Sequence, residues 1–274
     1  MLVIVRIFLM CAMLALSGTA AFAAPPQIGI VLMHGTAGVP LGTAGKGGRV
    51  TGGGLVASLR KAGYRVETPE MCWSERRIYD RPYSDCFGDV DAAIARLRAA
   101  GATAIVVGGL SMGGNAAIAY AATHTGLLGV IACAPAHDAL SYVSKPAIIA
   151  ALAQAKSQVA AGSGDRVQTF PDFDGSKRPP EFSVRASPAA YVSFFDIAGL
   201  GNIEGNLGNI SVPIIWVAGT QDATQIGSEA EFARIPDNPL SKYVRVNAQH
   251  LETPDAGASA IVEWLNALGA GQGS

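Results

Sequence analysis

The sequence predicts an α/β fold with a mostly parallel central sheet flanked by helices. Short apolar runs alternate with stretches whose apolar residues recur at helical spacing, a pattern typical of strands joined by crossover helices. The first pair is the apolar run Ile28–Met33 and a helical stretch over 55–62, which Gly63 ends. The same unit returns late in the chain. We therefore expect a single α/β domain over residues 24–274.

The other predicted elements continue this alternation. The segment 90–100 carries Ala93, Ile94 and Leu97 at helical spacing, and Gly101 ends it. Continuous apolar runs of four to eight residues are consistent with buried strands. On these grounds we expect strands at 64–68, 104–107, 128–134, 212–218 and 243–246, and helices at 115–123 and 258–268.

The alternation is interrupted over residues 136–210. We expect a helix at 146–161, then a loop rich in Gly, Pro, Asp and Arg at 162–187. Long irregular segments in compact folds are often functional, so this insertion is interpreted as a cap over the sheet. Its aromatic residues, Tyr191, Phe194 and Phe195, are expected to line a substrate pocket; packing of the cap onto the body is the alternative.

The composition argues against some partners. Only 15% of the residues are charged and 50% are hydrophobic, and 20 Lys and Arg balance 21 Asp and Glu. A chain of this kind can bury a large core, which excludes disorder. Because no basic excess is available to neutralise phosphates, we expect no nucleic-acid partner.

The amino-terminal residues have the order of a secretory signal peptide. One basic residue, Arg6, precedes an apolar stretch and the small-residue run that ends in Ala-Phe-Ala at Ala23. We expect cleavage after Ala23, a periplasmic or secreted mature chain, and no stable membrane anchor. An uncleaved anchor is the alternative, because residues 2–24 are just long enough to span a bilayer.

Cysteine usage fits an oxidising compartment. Cys72 and Cys86 flank a polar and aromatic loop, and we expect them to form a disulfide. Closing the ring between these two cysteines contributes about 3 kcal/mol to the free energy of unfolding in the chain-entropy model. Cys133 lies in an apolar run and is interpreted as a buried thiol.

A glycine-rich segment at 35–54 does not match a phosphate-binding loop. Lys46 is followed by Gly47 where Ser or Thr is required, and Pro40 replaces the first glycine of that motif. No dinucleotide fingerprint follows a predicted strand. We therefore expect no nucleotide cofactor.

The most informative motif is Gly109-Leu110-Ser111-Met112-Gly113, which follows a predicted strand and opens a predicted helix. In this context the pattern places a nucleophilic serine on a sharp turn, and the two glycines remove collisions that side chains would cause. The alternative is an ordinary turn in which the serine caps the helix.

A serine hydroxyl needs a base, and a base of this kind needs a carboxylate to orient it. His250 follows the last predicted strand, which brings it to the same edge of the sheet as Ser111; His137 is the rival base and otherwise a residue that lines the pocket. Asp222 follows the strand before His250, and Asp138 is the rival carboxylate.

Negative charge on the substrate oxygen needs preorganised donors. The backbone N–H of Met112, at the start of a helix, is one candidate. The other is the N–H of Thr36, in the turn after the first strand, where Gly35 allows close approach.

Taken together, these motifs resemble the α/β-hydrolase superfamily over nearly all of the chain after residue 23. The resemblance rests on His34-Gly35, the serine motif, Asp222 and His250 in the order Ser, Asp, His. It implies Ser111 as nucleophile, Asp222 as acid, His250 as base and a lid inserted near Ala134. The longer glycine-rich oxyanion signature of one lipase group does not match.

The resemblance implies a serine hydrolase of exported bacterial type that forms an acyl-enzyme. We expect a small to medium carboxylic ester as substrate, and neither a metal nor an organic cofactor. The alternatives are an amide, thioester or carbon-carbon bond hydrolase with the same triad, or a non-catalytic binding protein that keeps the fold.

Overall fold

A computed structural model describes residues 27–175 and 179–271 of the chain. Within these residues, six strands form one sheet in which every neighbouring pair is parallel, and two more strands form an antiparallel hairpin. In chain order the strands are β1 (Ile28–Met33), β2 (Arg65–Glu67), β3 (Ala104–Leu110), β4 (Gly129–Cys133), β5 (Gln168–Phe173), β6 (Glu181–Ala186), β7 (Ile214–Gly219) and β8 (Lys242–Val246).

The helices connect and cover these strands. They are α1 (Gly53–Lys61), α2 (Phe87–Ala99), α3 (Met112–Thr123), α4 (Pro146–Ala160), α5 (Pro188–Phe195), α6 (Ile203–Leu207), α7 (Ser228–Phe232), α8 (Thr253–Ala256) and α9 (Ala258–Ala270).

The strand order of the large sheet is β2-β1-β3-β4-β7-β8. Because its strands are parallel, their carboxyl ends share one edge, where ligands bind in open α/β sheets. The strands before Ser111, Asp222 and His250 are β3, β7 and β8, so the fold brings the three predicted catalytic residues to that edge.

Both faces of the sheet are covered, which explains its continuous apolar strands. In β1, Ile28, Ile30 and Leu32 belong to one hydrophobic cluster, whereas Val31 and Met33 belong to the other. The first cluster includes residues of α1 and α9, and the second includes residues of α2 and α3. The predicted α/β fold and the predicted strands are confirmed, with bounds shifted by a few residues.

The chain between β4 and β7 forms α4, the β5–β6 hairpin, α5 and α6. The prediction of an irregular loop over 162–187 is wrong, because this segment contains the hairpin. In β6, Val184 and Ala186 are buried while their neighbours Ser183 and Arg185 are exposed. One face of β6 is therefore buried and the other faces solvent. Burial of the first face stabilises the hairpin where it packs on the rest of the insertion.

The three aromatic residues of α5 pack inside the protein. Tyr191, Phe194 and Phe195 are each at most 1% exposed. The Tyr191 ring stacks on Phe195 at 4.3 Å and on Phe170 at 4.2 Å. Phe194 also contacts Tyr79 of the body, with the ring centroids 4.2 Å apart. These contacts favour the alternative, packing of the cap onto the body, and a role of the three rings in substrate binding stays a prediction.

The cysteines follow the sequence prediction. Cys72 and Cys86 form a disulfide with a Cα–Cα distance of 5.5 Å. Cys133 is a buried free cysteine, and burial raises the pKa of its thiol to about 12. This thiol therefore stays protonated at neutral pH and is inert.

The predicted signal peptide, residues 1–23, lies outside the described residues. Among the helices formed by residues 27–175 and 179–271, none has the length and hydropathy required to cross a bilayer.

Candidate active site

Ser111 occupies a strained turn between β3 and α3. Its φ and ψ are 58° and −121°, a combination that residues with side chains avoid. A Cβ at Gly109 would lie 2.5 Å from the carbonyl oxygen of Met33, and one at Gly113 would lie 2.3 Å from the same oxygen. Only glycine fits at both positions, which is the steric reason for the motif.

Backbone hydrogen bonds hold the Ser111 turn in place. The N–H of Ser111 donates to the carbonyl of Cys133 at 3.0 Å, and its carbonyl accepts from the N–H groups of Asn115 and Ala136. Met112 is the first residue of the twelve-residue helix α3. Its N–H therefore lies at the positive end of the helix dipole, next to the serine.

His250 and Asp222 form a hydrogen-bonded pair at the same edge of the sheet. Nδ1 of His250 donates to Oδ2 of Asp222 at 2.6 Å, and both side chains are almost fully buried. Thr224 donates to Oδ1 of Asp222 twice, from its backbone N–H at 2.9 Å and from its hydroxyl at 2.7 Å. The carboxylate thus fixes the imidazole with Nδ1 protonated, which leaves Nε2 as the basic nitrogen.

The surroundings of Asp222 keep its carboxylate ionised. Burial raises its pKa, but the hydrogen bonds from His250 and Thr224 and the charge of His250 outweigh burial and lower it below the ordinary value. The rival Asp138 instead accepts from the N–H of Ile203 at 2.8 Å, and burial raises its pKa. The structure therefore gives His250 the partner Asp222.

Two cavities meet at Ser111. The first, the glycine-loop cavity, has a volume of about 230 Å³ and is lined by Thr36, Ser111 and His250 together with Lys46 and Arg49 of the glycine-rich segment. Ser111 and His250 thus line one cavity, although 139 positions separate them in sequence. The glycine-rich segment, which matched no phosphate motif, thus forms part of the wall of this cavity.

The second cavity, the cap cavity, has a volume of about 470 Å³ and lies under the insertion. It is lined by Thr36 and Ser111, by His137 and Asp138 after β4, and by further residues that include Tyr142, Lys145, Phe173 and Glu231. His137 and Ser111 thus line the same cavity, and a role of His137 in substrate binding stays a prediction.

His137 belongs to a buried polar network that the sequence did not reveal. The hydroxyl of Tyr79 donates to Oδ2 of Asp172 at 2.8 Å and lies 2.8 Å from Nε2 of His137. Nε2 also lies 3.2 Å from Oδ1 of Asp172. The Tyr79 hydroxyl and Asp172 thus bind Nε2 of His137, whereas Asp222 binds Nδ1 of His250 and leaves its Nε2 as the basic nitrogen. His137 therefore lacks the hydrogen bonding expected of the catalytic base. Tyr79 and Asp172 were missed because they come from the disulfide loop and from β5, and no local pattern connects them.

The turn after β1 approaches the serine closely. A Cβ at Gly35 would lie 3.1 Å from Cβ of Ser111, so the backbone of this turn borders the nucleophile. His34 is buried in the turn: Nδ1 donates to the carbonyl of Gly35 at 2.8 Å, and Nε2 accepts from the N–H of Met71 at 3.0 Å. Burial lowers the pKa of His34 to about 4, so its imidazole stays neutral.

The lowered pKa of His34 predicts that the free energy of unfolding depends on pH. Its pKa falls from 6.5 in the unfolded chain to about 4 in the fold, so the unfolded state binds one more proton between these values. The free energy of unfolding should therefore fall as the pH falls from 6.5 towards 4. We expect this residue to account for about 3 kcal/mol of that loss.

Urea unfolding at about pH 7 and pH 4 measures this contribution. The variant His34→Gln should show a smaller loss of stability over that interval than the wild type. Equal losses in the two proteins would contradict the assignment.

The described residues contain no group of three or more His, Cys, Asp or Glu side chains arranged to hold a metal ion.

The fold and the site define the class: this is an α/β-hydrolase fold with a serine on the turn after β3. The profile of the family described as hydrolase 4, serine aminopeptidase S33, matches residues 74–238, which is more than half of the chain. The chain belongs to this hydrolase family. Ser111 and Asp222 lie inside the matched range, whereas Thr36 and His250 lie outside it. No curated protein sequence matches the chain significantly.

Solved structures of similar fold cover nearly the whole chain. A monoacylglycerol lipase from Paleococcus ferrophilus matches 90% of this chain and 97% of its own, with a TM-score of 0.63 and 22% identity. A structure from work on LipS and LipT, two metagenome-derived lipolytic enzymes, matches 90% and 95%, with a TM-score of 0.60 and 19% identity. Est1E from Butyrivibrio proteoclasticus, bound to ferulic acid, matches 88% and 89%, with a TM-score of 0.57 and 15% identity. At these identities the likeness concerns the fold.

Proposed function

We propose that the chain is a serine hydrolase, and specifically a carboxylesterase that acts on small to medium esters. The observation that carries the proposal is the convergence at one edge of the sheet. There the strained Ser111 shares a cavity with His250, and the imidazole of His250 is held by the ionised Asp222.

The first half-reaction forms an acyl-enzyme. Nε2 of His250 accepts the proton of the Ser111 hydroxyl as its oxygen attacks the ester carbonyl, and Asp222 stabilises the resulting imidazolium. The N–H groups of Met112 and Thr36 donate to the oxyanion that develops on the carbonyl oxygen. His250 then returns the proton to the departing alkoxide, which leaves as an alcohol.

The second half-reaction releases the acid. A water molecule takes the place of the alcohol, His250 accepts its proton, and the hydroxide attacks the acyl carbon. Collapse of the second tetrahedral intermediate breaks the bond to the Ser111 oxygen, which takes the proton back from His250. The same oxyanion donors serve both steps.

The cavities support the expected size of the substrate. Ser111 lines both the glycine-loop cavity and the cap cavity, which have volumes of about 230 and 470 Å³. Binding sites for small molecules commonly have a few hundred Å³. We propose that one cavity takes the acyl group and the other takes the alcohol.

Labelling with a fluorophosphonate tests the proposal. The wild-type protein should form a covalent adduct at Ser111, located by peptide mass spectrometry, because the activated oxygen attacks the phosphorus. His250→Ala should lose the label, whereas His137→Ala, the matched control for the rival histidine, should keep it. Labelling that persists in His250→Ala and disappears in His137→Ala would transfer the role of base to His137.

A second candidate activity is the cleavage of an amide next to a positively charged amine. The cap cavity favours it with the carboxylates of Asp138 and Glu231, and the family description names an aminopeptidase. Matched 4-nitrophenyl esters and aminoacyl 4-nitroanilides would separate the two activities. Faster turnover of the anilides would favour the aminopeptidase.

We also propose that the mature protein works in the periplasm or outside the cell. The support is the amino-terminal sequence pattern and the disulfide between Cys72 and Cys86, which is typical of oxidising compartments. Sequencing of the amino terminus of the protein purified from its host tests the proposal, with a start at Ala24 expected.

A further inference from the structure

The orientation of one peptide decides whether Thr36 can serve as an oxyanion donor. In a trans peptide the carbonyl and the N–H point in opposite directions, so the groups that hold the Gly35 carbonyl also aim the N–H of Thr36. That carbonyl accepts from Nδ1 of His34 at 2.8 Å and from the N–H of Gly38 at 3.1 Å. The turn 34–38 therefore needs a fixed His34 ring and a fixed backbone on both sides of Thr36.

A second segment, residues 71–75, binds the turn along its whole length. Nε1 of Trp73 donates to the carbonyl of His34 at 2.9 Å, and the Trp73 carbonyl accepts from the N–H of Ala37 at 2.9 Å. The N–H of Met71 donates to Nε2 of His34, and the N–H of Glu75 donates to the Gly38 carbonyl at 2.8 Å. Trp73 contributes two of these four hydrogen bonds, one on each side of Thr36.

The indole of Trp73 is itself held rigidly. It is fully buried, its ring lies 6.1 Å from Tyr83 in a stacked arrangement, and Phe194 contacts it edge-on at 6.4 Å. The preceding residue, Cys72, is linked by the disulfide to Cys86, which directly precedes α2. The segment 71–75 is thus tied covalently to the body of the protein as well as by packing.

We infer that Trp73 is a positioning residue for the turn 34–38, which carries the Thr36 N–H, and that the Cys72–Cys86 disulfide holds Trp73 in place. This inference rests on the proposed function, because it concerns the site at which Ser111 would act. In this role Trp73 acts on the turn through the His34 carbonyl and the Ala37 N–H. Removing its N–H should therefore weaken stabilisation of the transition state more than binding of the substrate.

The test compares two buried tryptophans with the same type of hydrogen bond. Nε1 of Trp264, in α9 on the other face of the sheet, donates to the Leu240 carbonyl at 2.6 Å, and Trp264 is also fully buried. We expect Trp73→Phe to lower kcat by about 10- to 100-fold, somewhat less than the loss of a whole oxyanion donor, with little change in KM. Trp264→Phe should leave kcat and KM within about twofold of the wild type.

A benzeneboronic acid provides a readout that a purely structural role would not change. It adds to the serine oxygen to give a tetrahedral anion, so its affinity reports on the oxyanion donors. Its affinity for Trp73→Phe should fall by the same factor as kcat, and its affinity for Trp264→Phe should not. Equal effects of the two substitutions on kcat and on boronate affinity, or a loss confined to KM, would overturn the inference.

Two further variants keep the test decisive. If Trp73→Phe does not fold, the double variant Cys72→Ala/Cys86→Ala releases the segment with its indole intact; a lower kcat at unchanged KM supports the inference, and an unchanged kcat overturns it. Ser111→Ala in the same ester assay separates the two proposals. If that variant keeps its activity, both proposals fail; if it is inactive while the tryptophan variants behave alike, only the positioning role fails.

Discussion

Replacing Ser111 with alanine is expected to lower kcat for ester hydrolysis by about 10⁵- to 10⁶-fold, the loss typical of removing a triad serine. The oxygen of the Ser111 hydroxyl is the attacking atom. Without it, water would have to attack the ester directly, with no covalent intermediate. The measurement is the steady-state rate on a 4-nitrophenyl ester, together with loss of the fluorophosphonate label at position 111.

Ser228→Ala is a suitable control for this experiment. Ser228, the first residue of the short helix α7, is also buried, but its hydroxyl donates to the carbonyl of Gln225 and does not line the glycine-loop cavity. This variant should keep a rate close to that of the wild type. Substantial activity in purified Ser111→Ala would refute the covalent mechanism.

Asp222→Asn is expected to lower kcat by about 10⁴-fold. An asparagine can present its amide N–H to Nδ1 of His250, which would favour the imidazole tautomer with the proton on Nε2. That nitrogen could then no longer accept the serine proton. The loss of the negative charge would also leave the imidazolium unstabilised, and the Thr224 donors would have only a neutral acceptor.

Asp138→Asn is the matched control, because Asp138 was the rival carboxylate in the sequence. Its side chain accepts from the Ile203 N–H and makes no contact of the kind that joins Asp222 to His250. This variant should retain most of its kcat in the same ester assay. A near-normal rate for Asp222→Asn combined with a large loss for Asp138→Asn would reverse the assignment.

Much of the central fold could be predicted from the sequence, because its signals are local. The apolar run of β1 and the Gly109-x-Ser111-x-Gly113 motif each fit within a few consecutive residues, and the sterics they imply are found in the structure. The pairing of Asp222 with His250 was predictable for a different reason. Parallel strands have all their carboxyl ends at one edge of the sheet, so residues that follow different strands lie near each other even when they are distant in sequence.

The insertion was predicted less well, because its structure depends on contacts between distant segments. Strand β5 contains Pro171 and Asp172, residue types that are depleted in strands, and these favoured a loop in the sequence. The buried Asp172 accepts from the Tyr79 hydroxyl, a partner 93 positions away. The composition of α5 was compatible with both a pocket wall and a packing surface, and only the positions of neighbouring rings distinguish the two.

The backbone geometry of Ser111 has a consequence for the evolution of this chain. Holding a non-glycine residue at φ 58° and ψ −121° costs about 1–3 kcal/mol. Ser111→Gly should therefore unfold at a higher urea concentration than Ser111→Ala, although glycine in general favours the unfolded chain. Selection for catalysis therefore favours serine at position 111, whereas selection for folding stability favours glycine. A lineage that no longer needed the activity would be expected to replace this serine with glycine.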